Sequence, residues 1–206
     1  MVNNNNEYSY NQIFNNLISN IPLKKSEKLY GITFVGGPGY GKSTIAKMLS
    51  SKLDIYSVTN DEIRRLYESL GFSEEKYSHD IKKMGYDRRV YLLKNKTSHI
   101  LDVNMEFAWE RAINSYQSLG AKLLFIELVC SEGTILRRIK EREESFNQND
   151  NYSRATDQDY YKYLELKKNN QNQIPPDMIF YSIDTDKSID EIEKQVELLI
   201  KKIEEI

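Results

Sequence analysis

Residues 31–45 read GITFVGGPGYGKSTI. An apolar run, Ile32 to Val35, gives way to Gly36, Gly37, Pro38, Gly39, Tyr40, Gly41, Lys42 and Ser43, and a helical pattern follows from Thr44 to Leu53. Glycines let the backbone curl so that successive N–H groups point inward, and the helix that follows presents its positive end to the same point. The spacing G-x-x-x-x-G-K-[ST] between a strand and a helix is therefore a cradle for phosphate. A glycine-rich turn with an incidental Lys-Ser is the bland alternative, and both flanks argue against it. Lys42 would reach the terminal phosphates of a nucleotide, and the Ser43 hydroxyl would ligate the magnesium that bridges them. The nucleotide-binding candidates are Gly37, Pro38, Gly39, Tyr40, Gly41, Lys42, Ser43 and Thr44, with ATP and Mg2+ as the implied cofactors and Ser43 as the metal ligand.

Outward from this stretch, short apolar runs alternate with longer amphipathic segments. The candidate strands are Tyr30 to Val35, Ile55 to Val58, His99 to Val103, Lys122 to Val129 and Met178 to Ile183. That rhythm predicts an α/β three-layer fold, a five-stranded parallel sheet with helices on both faces. The last helix is the clearest, with Ile189, Ile192, Val196, Leu199 and Ile203 as an apolar stripe backed by Lys and Glu. Residues 1–28 form an extension: Asn3 to Asn6 are a polar tail, and Tyr10, Ile13, Phe14, Leu17, Ile18 and Ile21 recur at helical spacing before Pro22. A peripheral helix packed on residues 29–206 is the plain reading, and a partner-binding or membrane-surface helix the sharper one. Residues 143–157 are polar and Asn-rich and read as a lid.

The chain has 206 residues, enough for one domain with a sizeable core. A net charge of -2 offers no global basic surface for long nucleic acid. A single cysteine, Cys130, excludes an internal disulfide framework. No apolar run reaches the roughly 18 to 20 residues of a membrane span, so a cytoplasmic protein with no membrane and no stable protein partner is expected. His79 and His99 have no companions at ligand spacing, which argues against zinc. Trp109 reads as packing, and the fifteen tyrosines as a reflection of AT-rich coding.

Three further segments sit where a parallel sheet gathers its ligands, beyond the carboxyl ends of its strands. After the second strand comes VTNDEIRR, residues 58–65, where Asp61 can take the proton of an attacking hydroxyl and Arg64 can hold an anionic group of the acceptor. Equally, Asp61 can be a helix N-cap with the arginines as solvated charges. At the third strand LDVNM, residues 101–105, places Asp102 and Asn104 at the acceptor or at magnesium-bound water, or else in an Asx turn. In RRIKER, residues 137–142, Arg138 and Arg142 share a helix face and can meet the charge developing on a transferred phosphoryl group, with Arg154 assisting. A solvated basic face paired with Glu141, Glu143 and Glu144 is the alternative.

Taken in order, GGPGYGKST, VTNDEIRR, LDVNM and RRIKER resemble the kinase domain of phage-type polynucleotide kinases and the related small AAA-type P-loop kinases, over roughly residues 29 to 200. The resemblance implies an ATP-dependent phosphotransferase with an alcohol acceptor. Asp61 would be the base and Arg64 an acceptor-phosphate contact; Asp102 and Asn104 would line the acceptor site, and Arg138 and Arg142 would lie at the lid. The implied catalytic set is Lys42, Asp61, Arg138 and Arg142. The favoured acceptor is a nucleic acid end, a polynucleotide 5′-hydroxyl, or a nucleotide-like molecule; a small molecule such as a nucleoside, sugar or antibiotic is the alternative. Residues 66–98 should hold the acceptor, and their Lys76, Lys82, Lys83, Arg88, Arg89, Lys94 and Lys96, interrupted by acids, suit one or two phosphates rather than a long track. A nucleotide-dependent switch and a degraded scaffold are the rivals from other classes.

Overall fold

The computed structural model describes residues 8–144, 155–170 and 172–206. In chain order the elements are α1 (Tyr10–Ser19), β1 (Tyr30–Val35), α2 (Lys42–Leu53), β2 (Tyr56–Val58), α3 (Asn60–Ser69), α4 (Glu74–Lys94), β3 (His99–Asn104), α5 (Trp109–Gln117), β4 (Lys122–Val129), α6 (Glu132–Glu144), α7 (Asp157–Asn169), β5 (Ile179–Asp184) and α8 (Ile189–Glu204). The five strands lie in the order β2-β3-β1-β4-β5, and every pair is parallel. The fold class is as the sequence rhythm implies.

Alternation along the buried strands sorts side chains onto two faces. Ile32 and Phe34 of β1, Ile100 of β3 and Ile126 of β4 meet Leu49 of α2 and Val196, Leu199 and Ile203 of α8. On the opposite face Val58 and Leu101 meet Leu92 and Leu93 of α4 and Tyr116 of α5. Ser188 caps α8 in a reciprocal box with Glu191, which fixes where that helix starts. Ile189, in the first turn, is 54% exposed, so the apolar stripe begins one turn later than its pattern suggests.

Helix α1 begins with a second capping box, Ser9 with Gln12, and seats Ile13 among Ile63 and Tyr67 of α3 and Ile81 and Met84 of α4. The Tyr10 hydroxyl donates to Asp87 at 2.7 Å, so the helix rests on the two helices that follow β2. The Asn3 to Asn6 tail lies outside the described residues, as do Arg154 and most of the expected lid. No described helix is long and apolar enough to cross a membrane.

The β1–β3 register contains one irregularity. Leu101 pairs with Thr33 and Asn104 with Phe34, leaving Asp102 and Val103 without partners on β1. A bulge of this kind re-aims side chains at the rim of a sheet. The Thr33 hydroxyl donates to the Val103 carbonyl at 3.2 Å and holds the bulge in place.

Candidate active site

Loops leaving β1, β2 and β3 meet around a cavity of about 550 Å³ lined by Gly37, Lys42, Ser43, Asp61, Asp102 and Arg142 among others. Its floor is the glycine loop. Gly41 takes φ +88, in the left-handed region that only glycine adopts freely, and its carbonyl accepts from the amides of Thr44 at 3.0 Å and Ile45 at 3.1 Å to start α2. The Lys42 ammonium donates to the carbonyls of Gly36 at 3.0 Å and Gly37 at 2.5 Å. Burial pulls its pKa down to about 8; Asp102 opposes that shift and Arg142 adds to it. Pro38, Gly39 and Gly41 also line the cavity, whereas Tyr40 and Thr44 do not. Tyr40 turns away into a ring cluster, edge-on to Tyr163 at 5.9 Å, and Thr44 is exposed one position beyond the lining.

At the end of β2, Thr59 and not Asp61 is the cap of α3, its hydroxyl accepting from the Asp61 amide at 3.2 Å. The Asp61 carboxylate is thereby left to face the cavity, where it pairs with the Arg64 guanidinium. Arg64 lines the same cavity, but its partner is Asp61 rather than open space held for an anion. This turn is anchored from behind by Arg88, which is fully buried and donates to Glu62 at 2.5 Å and to the Thr59 carbonyl at 2.6 Å. Glu62 in turn accepts from the Tyr56 hydroxyl at 2.8 Å. Arg88 was expected among the acceptor-binding cations; its burial and its two partners make it a structural clamp instead.

The β3 bulge delivers Asp102 to the cavity, hydrogen-bonded to the Ser43 side chain. Burial raises its pKa, while Ser43 and Lys42 oppose the shift and Asp61 reinforces it. Asn104 lines the cavity and braces the glycine loop, donating to the Gly36 carbonyl at 3.3 Å and accepting from the Glu106 amide at 2.8 Å.

The two arginines of α6 part company. Arg142 lines the cavity. Arg138 does not: its guanidinium donates to the Thr185 carbonyl at 2.5 Å, the Thr185 hydroxyl at 3.3 Å and the Gly39 carbonyl at 3.4 Å. The expectation that both face the transferred group is corrected on this point, since carbonyl partners hold Arg138 behind the loop, bridging it to the end of β5.

Tyr163 and Glu106 escaped the sequence reading. Tyr163, from α7, packs over the glycine loop, and its hydroxyl donates to Glu106 at 2.8 Å; Lys167 pairs with the other Glu106 oxygen at 3.4 Å. Attributing the tyrosines to coding bias hid this residue. The i, i+3 pair Tyr160 and Tyr163, both buried, was the available signal.

Among the described residues no cluster of three His, Cys, Asp or Glu could hold a metal alone. Magnesium fits the site in another way. The hydrogen-bonded Ser43 and Asp102 supply a hydroxyl and a carboxylate oxygen side by side, the hard donors that ion prefers when phosphates complete its shell.

A family model described as AAA domain matches residues 32–166. Among solved structures, a proposed kinase from Chloroflexus aurantiacus j-10-fl is similar with a TM-score of 0.60 at 20% identity, covering 85% of this chain and 99% of that one. The APS kinase CysC of Mycobacterium tuberculosis, solved with AMPPNP and APS, has a TM-score of 0.54 at 18% identity over 87% of this chain and 99% of its own. A gluconokinase from Sinorhizobium meliloti 1021 has a TM-score of 0.53 at 13% identity over 88% and 96%. No protein with curated annotation matches the sequence. With residues 32–166 matched, the chain belongs to the AAA domain family and shares the fold of these P-loop proteins.

Proposed function

We propose that this protein is an ATP-dependent kinase that transfers the γ-phosphoryl group to a hydroxyl. The observation that carries the reading is the convergence, on one cavity, of the glycine loop, Lys42 and Ser43 with Asp61 from β2, Asp102 from β3 and Arg142 from α6. The amides of the loop and of the first turn of α2 would bind the β- and γ-phosphates. Lys42 would exchange its two carbonyl partners for phosphate oxygens. Ser43 and Asp102 would hold magnesium, which offsets phosphate charge when bound. Asp61, oriented by the Thr59 cap and by Arg64, would accept the proton as the acceptor oxygen attacks the γ-phosphorus; the new O–P bond forms, the β–γ bridge breaks, and ADP departs. Arg142 would meet charge developing on the transferred group, and Arg138 would hold the loop in shape rather than touch that group.

A small acceptor suits this geometry better than the polynucleotide end favoured by sequence. Arg88 is consumed by Glu62 and Thr59, and Lys83 by Asp87 at 2.7 Å, so two of the cations after β2 are withheld from the phosphates of a strand. The test is a labelled-ATP screen against sugars, nucleosides, their phosphate esters, and 5′-hydroxyl DNA and RNA oligonucleotides, with Asp61→Asn as the comparison. Loss of the base should lower kcat by about 10²- to 10⁴-fold with the ATP KM little changed. Equal product from Asp61→Asn would overturn the assignment of the base. Slow ATP hydrolysis that no acceptor accelerates would favour a nucleotide-dependent switch.

A further inference from the structure

A second cavity, of about 540 Å³, adjoins the first, and Asn60, Val103 and Asn104 stand on the walls of both. It lies between α4, the end of β3 and α5, and its volume falls in the usual range of roughly 300 to 1,000 Å³ for small-molecule sites. Lys82, Arg89 and Arg111 line it, and among the described residues no Asp or Glu does. Arg89 is the most informative of the three. It donates to the Met105 sulfur at 3.2 Å and lies over the Tyr86 ring at 5.7 Å, with Tyr116 and the like charge of Arg88 also close enough to act on it, and it forms no ion pair with a carboxylate among the described residues. Burial pulls its pKa down, as expected of a guanidinium drawn out of water without a counter-ion. A charge in that position is costly unless an anion meets it.

Nearby cations are treated differently. Arg88, one residue away, is matched by Glu62, and Lys83 by Asp87. Lys82 and Arg111 are exposed and form no ion pair among the described residues. Leu101, Val103 and Ala112 supply apolar wall, so the cavity joins one cationic side to a surface suited to a carbon skeleton. Three unmatched cations suit a dianion better than a single carboxylate, which one guanidinium can satisfy.

We propose that the second cavity binds the acceptor by a phosphate monoester: the substrate is a small hydroxyl compound already carrying one dianionic group, held by Lys82, Arg89 and Arg111 while its hydroxyl extends past Asn60 and Asn104 toward Asp61. The transfer step rests on the kinase reading above; the anion site does not. In that step the hydroxyl oxygen bonds to the γ-phosphorus, its proton passes to Asp61, the β–γ bridge of ATP breaks, and the product carries two ester groups.

The test separates the two readings. First, inorganic phosphate is titrated calorimetrically into the full-length protein with the glycine loop saturated by AMPPNP and magnesium. A phosphate isotherm should persist, and Lys82→Gln together with Arg111→Gln, both at exposed positions and harmless to folding, should weaken it at least about tenfold, with Arg89→Gln weakening it further. Disappearance of the isotherm on AMPPNP saturation, or indifference to all three substitutions, overturns the proposal. Second, ADP release is followed with glucose 6-phosphate against glucose and with adenosine 5′-monophosphate against adenosine. Preference for either phosphorylated partner, with its KM raised about tenfold in Lys82→Gln/Arg111→Gln and the ATP KM unchanged, supports the site and identifies its skeleton. Equal turnover of the neutral partners overturns it while leaving the kinase reading intact. Phosphate binding as expected without turnover of any acceptor supports the anion site and counts against the kinase reading.

Discussion

Tyr163 covers Gly37 so closely that a methyl group placed on Gly37 would lie 2.4 Å from the tyrosine Cδ1. The ring cannot simply yield, because its hydroxyl is committed to Glu106 at 2.8 Å and its edge to Phe107 and Tyr40. Helix α7 is thus docked on the phosphate loop through one aromatic side chain and the absence of another side chain. Gly37→Ala should cost about 1–3 kcal/mol in overpacking. Tyr163→Ala should recover part of that loss in the double variant, and the coupling is read from urea midpoints of the four proteins in the cycle.

Arg88 is the counterweight behind Asp61. Replacing it with Met removes the donors to Glu62 and to the Thr59 carbonyl, leaving Glu62, whose side chain is 33% exposed, with the Tyr56 hydroxyl as its donor. The expected loss is about 1–3 kcal/mol of stability. Because Thr59 caps the turn that carries Asp61, kcat should fall in whatever protein remains folded. Arg88→Lys should restore little of either, since an ammonium cannot reach both acceptors in the fork geometry. Urea unfolding and single-turnover kinetics measure the two effects separately.

If the glycine loop holds ATP as proposed, Lys42 should make that binding weaken at alkaline pH. Its pKa in the free protein, about 8, lies below the ordinary lysine value of 10.5, so its charge fades as pH rises through 8. ATP affinity, measured by calorimetry in magnesium-free buffer, should weaken several-fold between pH 7 and pH 9. Lys42→Arg should flatten that dependence, because a guanidinium keeps its proton. The sign for folding is opposite. Between about 8 and 10.5 the unfolded chain binds the extra proton, so the cost of burying the cation is present below 8 and is relieved as pH rises.

His99 contributes an acid-side dependence unrelated to chemistry. It is fully buried beneath the sheet, hydrogen-bonded through Nε2 to the Tyr116 hydroxyl at 2.6 Å, and burial lowers its pKa to about 4. The unfolded chain takes up the proton first, so stability should be lost as pH falls from about 6.5 toward 4, by an amount on the order of 3 kcal/mol. His99→Gln should show a shallower decline in urea midpoint over that interval. An identical slope in the two proteins would exclude His99 as the source.

The strands, their parallel arrangement and the glycine loop were legible in the sequence because each rests on local rules. Apolar runs bounded by turns make buried strands, and G-x-x-x-x-G-K-S between strand and helix makes an anion cradle wherever it folds. Asp61 and Asp102 were also legible as candidates, since carboxyl ends of parallel strands converge, and Arg142 was legible from its place on a helix just before the polar segment. What they touch was not. Sequence put Arg138 and Arg142 on one helix face, but only the fold brings Thr185 and Gly39 to Arg138 and leaves Arg142 on the cavity. It grouped Arg88 and Arg89 as acceptor cations, whereas packing buries the first against Glu62 and turns the second, unmatched, toward a second cavity. The two-residue bulge that sends Asp102 to Ser43 arises from the register between β1 and β3. Periodicity and motif reach only a few residues along the chain, while the charge, burial and partner of a side chain depend on segments that meet across the sheet.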